Sequence, residues 1–110
     1  MEDHRPALGR RGERIAEAIL TARGLAILER NRAVGRGEID LIARSGQRRV
    51  VVEVRTVRGE LALDQQFPVA KRRQVHSLAS NVGIDRVDLV GVALGPTGVE
   101  VHWLRNVAGD

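Results

Sequence analysis

The sequence predicts a single α/β domain in which helices cover one mixed β-sheet of about five strands. Segments with the period of two that is typical of strands alternate with two segments of helical spacing, in the order helix, three strands, helix, two strands. The length of 110 residues, with 43% hydrophobic residues, suits one domain with a modest core. There is no internal repeat and no low-complexity stretch that would indicate another architecture.

Two segments have the spacing of amphipathic helices. Residues 10–23 present apolar side chains on one face and stop at Gly24, a residue that favours helix ends. Pro68 suits the first position of the second helix, and Gly83 ends that helix. The apolar faces consist of Ile15, Ala16, Ile19 and Leu20 in the first helix and of Val75, Leu78 and Val82 in the second.

Five segments have the pattern of strands, and turn residues separate several of them. Residues 57–66 show no clear period and are predicted to be a mobile loop. The domain is expected to span residues 9–104, with a flexible tail over residues 1–8 and a C-terminal tail over residues 105–110. The predicted strands cover residues 25–33, 37–44, 49–56, 87–94 and 98–103.

Charge and composition limit the function classes. The net charge is +4, and Lys71 is the only lysine among 18 basic residues. Arginine-rich surfaces suit a nucleic-acid backbone, and a coding preference for arginine is the alternative. Phe67 and Trp103 are the only aromatic residues, which weighs against a module that stacks single-stranded bases.

Other absences from the sequence narrow the setting of the protein. The lack of cysteine excludes disulfides and thiolate metal sites. No apolar run reaches transmembrane length, and no signal-peptide pattern is present. A soluble cytoplasmic protein without a membrane partner is therefore expected.

Two neighbouring predicted strands carry acidic residues on one face. In a hairpin that turns at residues 46–47, Asp40 lies opposite Glu53, and Glu38 lies opposite Arg55. Glu38 is expected to hold Arg55 in an ion pair. The other face of the hairpin is predicted to be apolar and consists of Ile39, Leu41, Val50, Val52 and Val54.

The opposed acids Asp40 and Glu53 indicate a metal site. Like charges in directly opposed positions destabilise a sheet, so this pair needs a cation between its carboxylates. Hard oxygen ligands suit Mg²⁺ or Mn²⁺. The alternative is that each acid pairs with arginines and binds no metal.

The same acids carry a resemblance to known nucleases. Asp40, twelve further residues and then Glu53-Val54-Arg55 resemble the core pattern of the PD-(D/E)XK nucleases. From about residue 9 to residue 103 the chain resembles the YraN-like family of small predicted endonucleases, most specifically in the run Gly-Glu-Ile-Asp-Leu-Ile over residues 37–42. The supporting motifs are Gly9-x-x-Gly12-Glu13, Asn31, Val52-Glu53-Val54, Lys71 and Arg86-Val87-Asp88.

This resemblance implies a restriction-endonuclease-like core and metal-dependent cleavage of DNA, including branched or flapped structures as in Holliday-junction resolvases. It implies that Asp40 and Glu53 are metal ligands and that Glu13 approaches the same site from the first helix. DNA is the partner that it implies, and a DNA-repair protein is a second kind of partner that it allows. The oligomeric state does not follow from it.

One position departs from the family pattern, because Arg55 stands where the family has lysine. A lysine there would position or activate water and stabilise charge, whereas arginine stabilises charge but is effectively never deprotonated. Lys71 lies on the core-facing line of the second helix, so it either supplies the missing charge or extends past the helix end into solvent. Two other function classes stay open: a non-cleaving module that binds DNA or a repair partner, and an interaction protein without a nucleic-acid role.

Overall fold

A computed structural model of the chain describes residues 4–60 and 62–109. The elements follow the predicted order, with one short helix added before the second long helix. They are α1 (His4–Ala22), β1 (Ala26–Val34), β2 (Gly37–Ser45), β3 (Arg48–Arg58), α2 (Leu63–Gln66), α3 (Val69–Asn81), β4 (Arg86–Leu94) and β5 (Val99–Leu104).

The five strands form one mixed sheet in the order β1-β2-β3-β4-β5. Strands β3 and β4 are parallel, because the chain crosses over between them through α2 and α3, and the other neighbouring pairs are antiparallel. Helix α1 packs on one face of the sheet and α3 on the other. The predicted α/β fold, a mixed sheet flanked by two helices, is therefore confirmed.

Each face of the sheet carries its own hydrophobic core. Strand β4 is buried from Val87 to Leu94, as expected for a strand that helices cover on both sides. The core beneath α1 includes Ala16, Leu20, Leu41, Val52, Val54 and Val90. The core beneath α3 includes Ile42, Val51, Phe67, Val75, Ala79 and Leu89.

Helix α1, strand β3 and the segment that follows β3 differ from the sequence predictions by more than one residue. Helix α1 begins at His4 rather than at residue 10, and Leu8 within this added part packs against the core beneath α1. Residues 1–3 of the predicted tail lie outside the described residues. Strand β3 continues to Arg58 because β4 pairs with it that far, and α2 occupies part of the segment that was predicted to be a loop.

The predicted C-terminal tail is held against the domain over residues 105–109. The backbone N–H of Val107 donates to the Val87 carbonyl oxygen at 2.9 Å. Nε2 of His76 lies 2.7 Å from the Val107 carbonyl oxygen. This segment thus covers one end of α3.

Of the helices in the described part of the chain, none combines the length and apolar composition needed to cross a bilayer.

Asp88, part of one of the supporting motifs, has a structural role. Its side chain is fully buried, and both carboxylate oxygens accept two hydrogen bonds. The donors are the guanidinium of Arg86, the indole N–H of Trp103 and the backbone N–H of Asn106. A buried carboxylate needs such partners, so Asp88 ties β5 and the C-terminal segment to β4.

Candidate active site

The candidate site forms where β2 and β3 separate. The two strands pair from Ser45 and Arg48 to Leu41 and Val52, around a turn at residues 46–47 as predicted. Beyond that point β2 remains paired with β1, whereas β3 remains paired with β4. The two strands therefore open a gap immediately next to Asp40 and Glu53.

Asp40 occupies this gap and bonds to the neighbouring strand. Its Oδ2 accepts a hydrogen bond from the backbone N–H of Val54 at 2.9 Å. This N–H has no partner in β2 once the ladder has ended, so the Asp40 carboxylate takes the place of a strand carbonyl. The bond fixes the orientation of the acid beside Glu53.

Two side-chain placements from the sequence analysis are wrong because of the same gap. Glu38 was expected to face Arg55 in an ion pair, but the described residues contain no ion pair between these two side chains, since the strands have already separated. Ile39 was expected on the apolar face with Leu41. It packs instead in the core beneath α3, because β2 is not paired with β3 on the N-terminal side of Leu41.

Glu53 is buried and lies against α3. Nζ of Lys71 is 3.1 Å from Oε2 of Glu53, and it also donates to Oε1 of Gln74 at 3.2 Å. Of the two alternatives for Lys71, the structure has the one in which its side chain reaches the sheet. The only lysine of the chain thus partly neutralises the charge of Glu53.

Asp40 and Glu53 are close enough to affect each other's charge. Burial and the negative charge of Glu53 raise the pKa of Asp40 to about 7, although the Val54 N–H and Lys71 favour its ionised form. Asp40 and Glu53, called the acid pair below, therefore hold more negative charge than the surrounding protein compensates. The sequence predicted this contact from strand alternation alone.

Helix α1 brings a third acid towards the pair. Burial and the charges of Asp40 and Glu38 raise the pKa of Glu13. Gly12 permits this approach, because a Cβ at that position would overlap Oγ1 of Thr56 and lie 2.7 Å from its Cβ. The Gly-Glu pair at the start of the family motif thus has a packing function and an electrostatic one.

The gap widens into an open cleft of about 580 Å³. Arg10 and Glu13 of α1 form one wall, and Asp40 and Arg55 lie across from them. Arg55 is exposed, so its guanidinium can meet a ligand that enters the cleft. The cleft also includes Gln66 of α2, which sequence reasoning missed because residues 57–66 have no periodic pattern.

Asn31 also lines this cleft, in a backbone conformation that few residues adopt. Its φ of 53° lies in the left-handed region, where asparagine is enriched among non-glycine residues. The motif that carries the family resemblance included Asn31 without a reason for it. Its conformation places an irregularity in β1 beside Asp40. The neighbouring residues Arg30 and Arg32 each pair with a residue of β2.

The donor set of the acid pair fits a hard divalent cation. Among residues 4–60 and 62–109, no three His, Asp or Glu side chains converge to hold an ion by themselves. Mg²⁺ usually binds through one or two carboxylates and retains water or substrate phosphate at its other positions. Two adjacent carboxylates at an open cleft match this mode of binding.

The raised pKa of Asp40 predicts that stability depends on pH. The folded protein holds a proton up to about pH 7, whereas an unfolded chain releases it near its ordinary value of 3.8. Without added metal, the free energy of unfolding should therefore fall as pH rises from about 4 to 7, by at most about 1.4 kcal/mol per pH unit. Asp40→Asn should remove this component, because asparagine has no proton to release in this range. Its amide oxygen can still accept the Val54 N–H, so the hydrogen bond between the strands is kept.

Urea unfolding in EDTA at pH 5, 6, 7 and 8 measures this slope. Asp64→Asn removes an exposed carboxylate and is the matched control for net charge. A constant difference in stability between wild type and Asp40→Asn over this range would contradict the prediction.

Comparisons with known proteins agree with the fold and the motifs. The model of the family described as "Uncharacterised protein family UPF0102" matches residues 12–92. A UPF0102 protein of Streptomyces coelicolor is 42% identical over an alignment of 118 positions, which covers 94% of this chain and 90% of that protein. A UPF0102 protein of Methylococcus capsulatus is 35% identical over 112 residues, with 94% and 91% covered.

A solved structure is similar in fold. The Holliday junction resolvase Hjc of Archaeoglobus fulgidus superposes with a TM-score of 0.53 at 21% sequence identity, covering 88% of this chain and 76% of that one. At this identity the similarity shows a shared fold, which is the resolvase-like nuclease fold that the motifs predicted. The family match and the full-length relatives show that this chain belongs to the UPF0102 family, the YraN-like family that its sequence resembles.

Proposed function

We propose that this protein is an endonuclease that depends on a divalent metal and hydrolyses phosphodiester bonds of DNA, including branched or flapped structures. The observation that supports this most is the contact between Asp40 and Glu53 in the gap between β2 and β3. A nuclease-like fold with two adjacent carboxylates, whose charge is only partly compensated, at an open cleft is suited to this chemistry.

Asp40 and Glu53 are the residues proposed to hold Mg²⁺ or Mn²⁺. When bound, the ion would lower the pKa of an attacking water and neutralise charge on the scissile phosphate. The Val54 N–H orients the Asp40 carboxylate before any ligand arrives. Glu13 faces the same cleft from α1 and is proposed to act as an outer ligand through water.

Two basic side chains are proposed to stabilise the negative charge that develops on the phosphate. Lys71 of α3 lies beside Glu53, and its side chain is 22% exposed. Arg55 is exposed in the cleft and can approach a phosphate from the open side. Fixed cations of this kind commonly supply a large part of the rate enhancement in phosphoryl chemistry.

A second function is supported by the same two residues. Arg55 replaces the family lysine, and Lys71 already forms an ion pair with Glu53. If this ion pair persists when DNA binds, the site would hold DNA without cutting it. The protein would then be a non-cleaving module that binds branched DNA or a repair partner.

Manganese should stabilise the wild-type protein and support nicking of DNA. A ligand that binds only the folded state raises the melting temperature, by an amount equivalent to about 2.7 kcal/mol at one hundred times its dissociation constant. Asp40→Asn and Glu53→Gln should lose both the shift in melting temperature and the nicking. Thermal unfolding and a nicking assay on branched and linear DNA, in Mn²⁺, Mg²⁺ and EDTA, measure these effects.

Nicking, together with DNA binding at several salt concentrations, distinguishes the two functions. A manganese shift with nicking supports the endonuclease. Salt-dependent DNA binding without nicking supports the non-cleaving module. If millimolar Mn²⁺ leaves the melting temperature unchanged, the proposed metal site is wrong. Asp64→Asn is again the control, since it should retain the shift.

A further inference from the structure

The opposite end of α1 carries a concentration of arginines that the proposed reaction does not use. Arg23 follows the last residue of α1, Arg48 begins β3, and Arg105 follows β5. Together with Trp103 they line a pocket of about 360 Å³, called the arginine pocket below. The guanidinium carbon of Arg105 lies 3.9 Å from the centroid of the Trp103 ring.

The arginine pocket has positive charge that the surrounding protein scarcely offsets. Among pairs of described residues, neither Arg23 nor Arg105 forms an ion pair with a carboxylate. Arg48 has only an exposed contact with Asp85, at 3.6 Å between Nη2 and Oδ1. A contact of this kind at the surface contributes little. Several guanidinium groups around one pocket therefore favour an anion within it.

Arg86 lines the same pocket but does not add to this excess. Its guanidinium donates two hydrogen bonds to the buried carboxylate of Asp88, at 3.0 and 2.9 Å. This pair fixes one wall of the pocket, and the indole N–H of Trp103 bonds to the same carboxylate. The Trp103 ring, on which Arg105 stacks, is thereby held in place.

We propose that the arginine pocket binds backbone phosphate of the nucleic acid on which the acid pair acts. A guanidinium presents a planar fork of donors that matches phosphate oxygens. The distance between the two sites suits one polyanion. Ten residues of helical rise separate Glu13 from Arg23, or about 15 Å. Five residues of strand separate Arg48 from Glu53, or about 17 Å.

A DNA duplex that follows α1 would contact both sites. A separation of 15–17 Å corresponds to about five base pairs at a rise of 3.4 Å. A free phosphate or nucleotide would need only the pocket, whereas a duplex explains why cationic and acidic sites lie at the two ends of one helix. The inference rests on the proposed action on DNA, but it concerns binding and needs no cleavage.

The test is DNA binding in EDTA, so that cleavage does not contribute. Arg23→Gln/Arg105→Gln removes two charges from the pocket. Arg49→Gln/Arg73→Gln removes two exposed charges elsewhere, neither of which forms an ion pair with another described residue, and is the matched control. Arg23→Lys/Arg105→Lys retains the charge. Anisotropy of a short labelled duplex, between about 50 and 200 mM salt, gives the affinity and its salt dependence.

The pocket variant should bind at least tenfold more weakly than wild type, and its slope of log K against log salt should be smaller by about 2, because each lost phosphate contact removes about 0.9. The control variant should change the slope by less than half of this amount. The lysine variant should keep most of the slope. Circular dichroism of each variant checks that the loss of binding is not a loss of folding.

Trp103 provides a second measurement, since it is the only tryptophan of the chain. Duplex binding should change its emission in wild type, because phosphate would alter the Arg105 guanidinium stacked on the ring. Equal binding by the two glutamine variants, or duplex binding without any change in Trp103 emission, would overturn the proposal. A change in Trp103 emission with anionic lipid vesicles but not with DNA would also overturn it. The same holds if inorganic phosphate changes the emission at concentrations at which the duplex causes no change.

Failure of this inference and failure of the proposed endonuclease are distinguishable. If wild type nicks DNA and both glutamine variants bind alike, only the pocket is wrong. If nicking is absent but the pocket variant alone loses binding, the pocket stands and the reaction is wrong. Absence of salt-dependent DNA binding by wild type would overturn both.

Discussion

Lys71→Ala is expected to lower the rate of manganese-dependent nicking by about a hundredfold or more. Removing one positioned charge from a phosphoryl-transfer site typically costs this much in rate. The Nζ of Lys71 is 3.1 Å from Glu53, whereas Arg55 is exposed at the open side of the cleft. Arg55→Ala should therefore have a smaller effect than Lys71→Ala, and Arg55→Lys should change the rate little.

Two further variants separate catalysis from structure. Gln74→Ala removes the other partner of the Lys71 ammonium without changing charge, and it should nick like wild type. Lys71→Ala should bind Mn²⁺ at least as tightly as wild type, because the cation that competes for Glu53 has gone. A larger loss of nicking in Arg55→Ala than in Lys71→Ala would assign the charge stabilisation to Arg55. Unchanged nicking in both would remove both residues from the reaction.

Gly12→Ala is expected to be the most destabilising of the glycine substitutions in α1. The new Cβ would overlap Oγ1 of Thr56 and lie 2.7 Å from its Cβ, so that α1 must move away from β3. Overpacking of this kind costs about 1–3 kcal/mol and occasionally more. The melting temperature should fall on the order of 10 °C. Glu13 would move with the helix, so nicking should also decrease.

Gly9→Ala is the matched control on the same helix. The new Cβ would meet no atom within 4 Å. The substitution should therefore stabilise the protein by about 0.5–1 kcal/mol, because alanine favours a helix more than glycine does. Thr56→Ala should recover part of the loss in a double variant with Gly12→Ala, because it removes the overlapping hydroxyl. Differential scanning calorimetry of wild type, the three single variants and the double variant measures this coupling. Equal stability of the two alanine variants would contradict the close packing of α1 on β3.

The acid pair shows how far local pattern reaches. Alternation and the turn at residues 46–47 were sufficient to predict that Asp40 and Glu53 come together, because each register of an antiparallel hairpin fixes every pair in it. The helical line through Val75 likewise indicated that Lys71 faces the sheet, as the structure shows. Which residues perform chemistry stays a prediction that the variants above test.

The predictions for Glu38 and Ile39 failed where that local pattern stops. A hairpin considered alone continues to pair, so the sequence placed Glu38 opposite Arg55. In the folded sheet, β2 also pairs with β1 and β3 with β4. These competing ladders draw the two strands apart before Leu41 in β2 and after Val52 in β3. The cleft exists because of this competition between non-local partners.

The order of the elements, the mixed α/β architecture, the hairpin register and the family could all be predicted from the sequence. These depend on periodicity, turn residues and motifs, which lie within short stretches of chain. Three features became visible only in the folded chain: the start of α1 at His4, the close packing of α1 on β3 at Gly12, which brings Glu13 near Asp40, and the arginines around Trp103. All three depend on packing between residues that are far apart in the chain, and local propensity does not specify such packing.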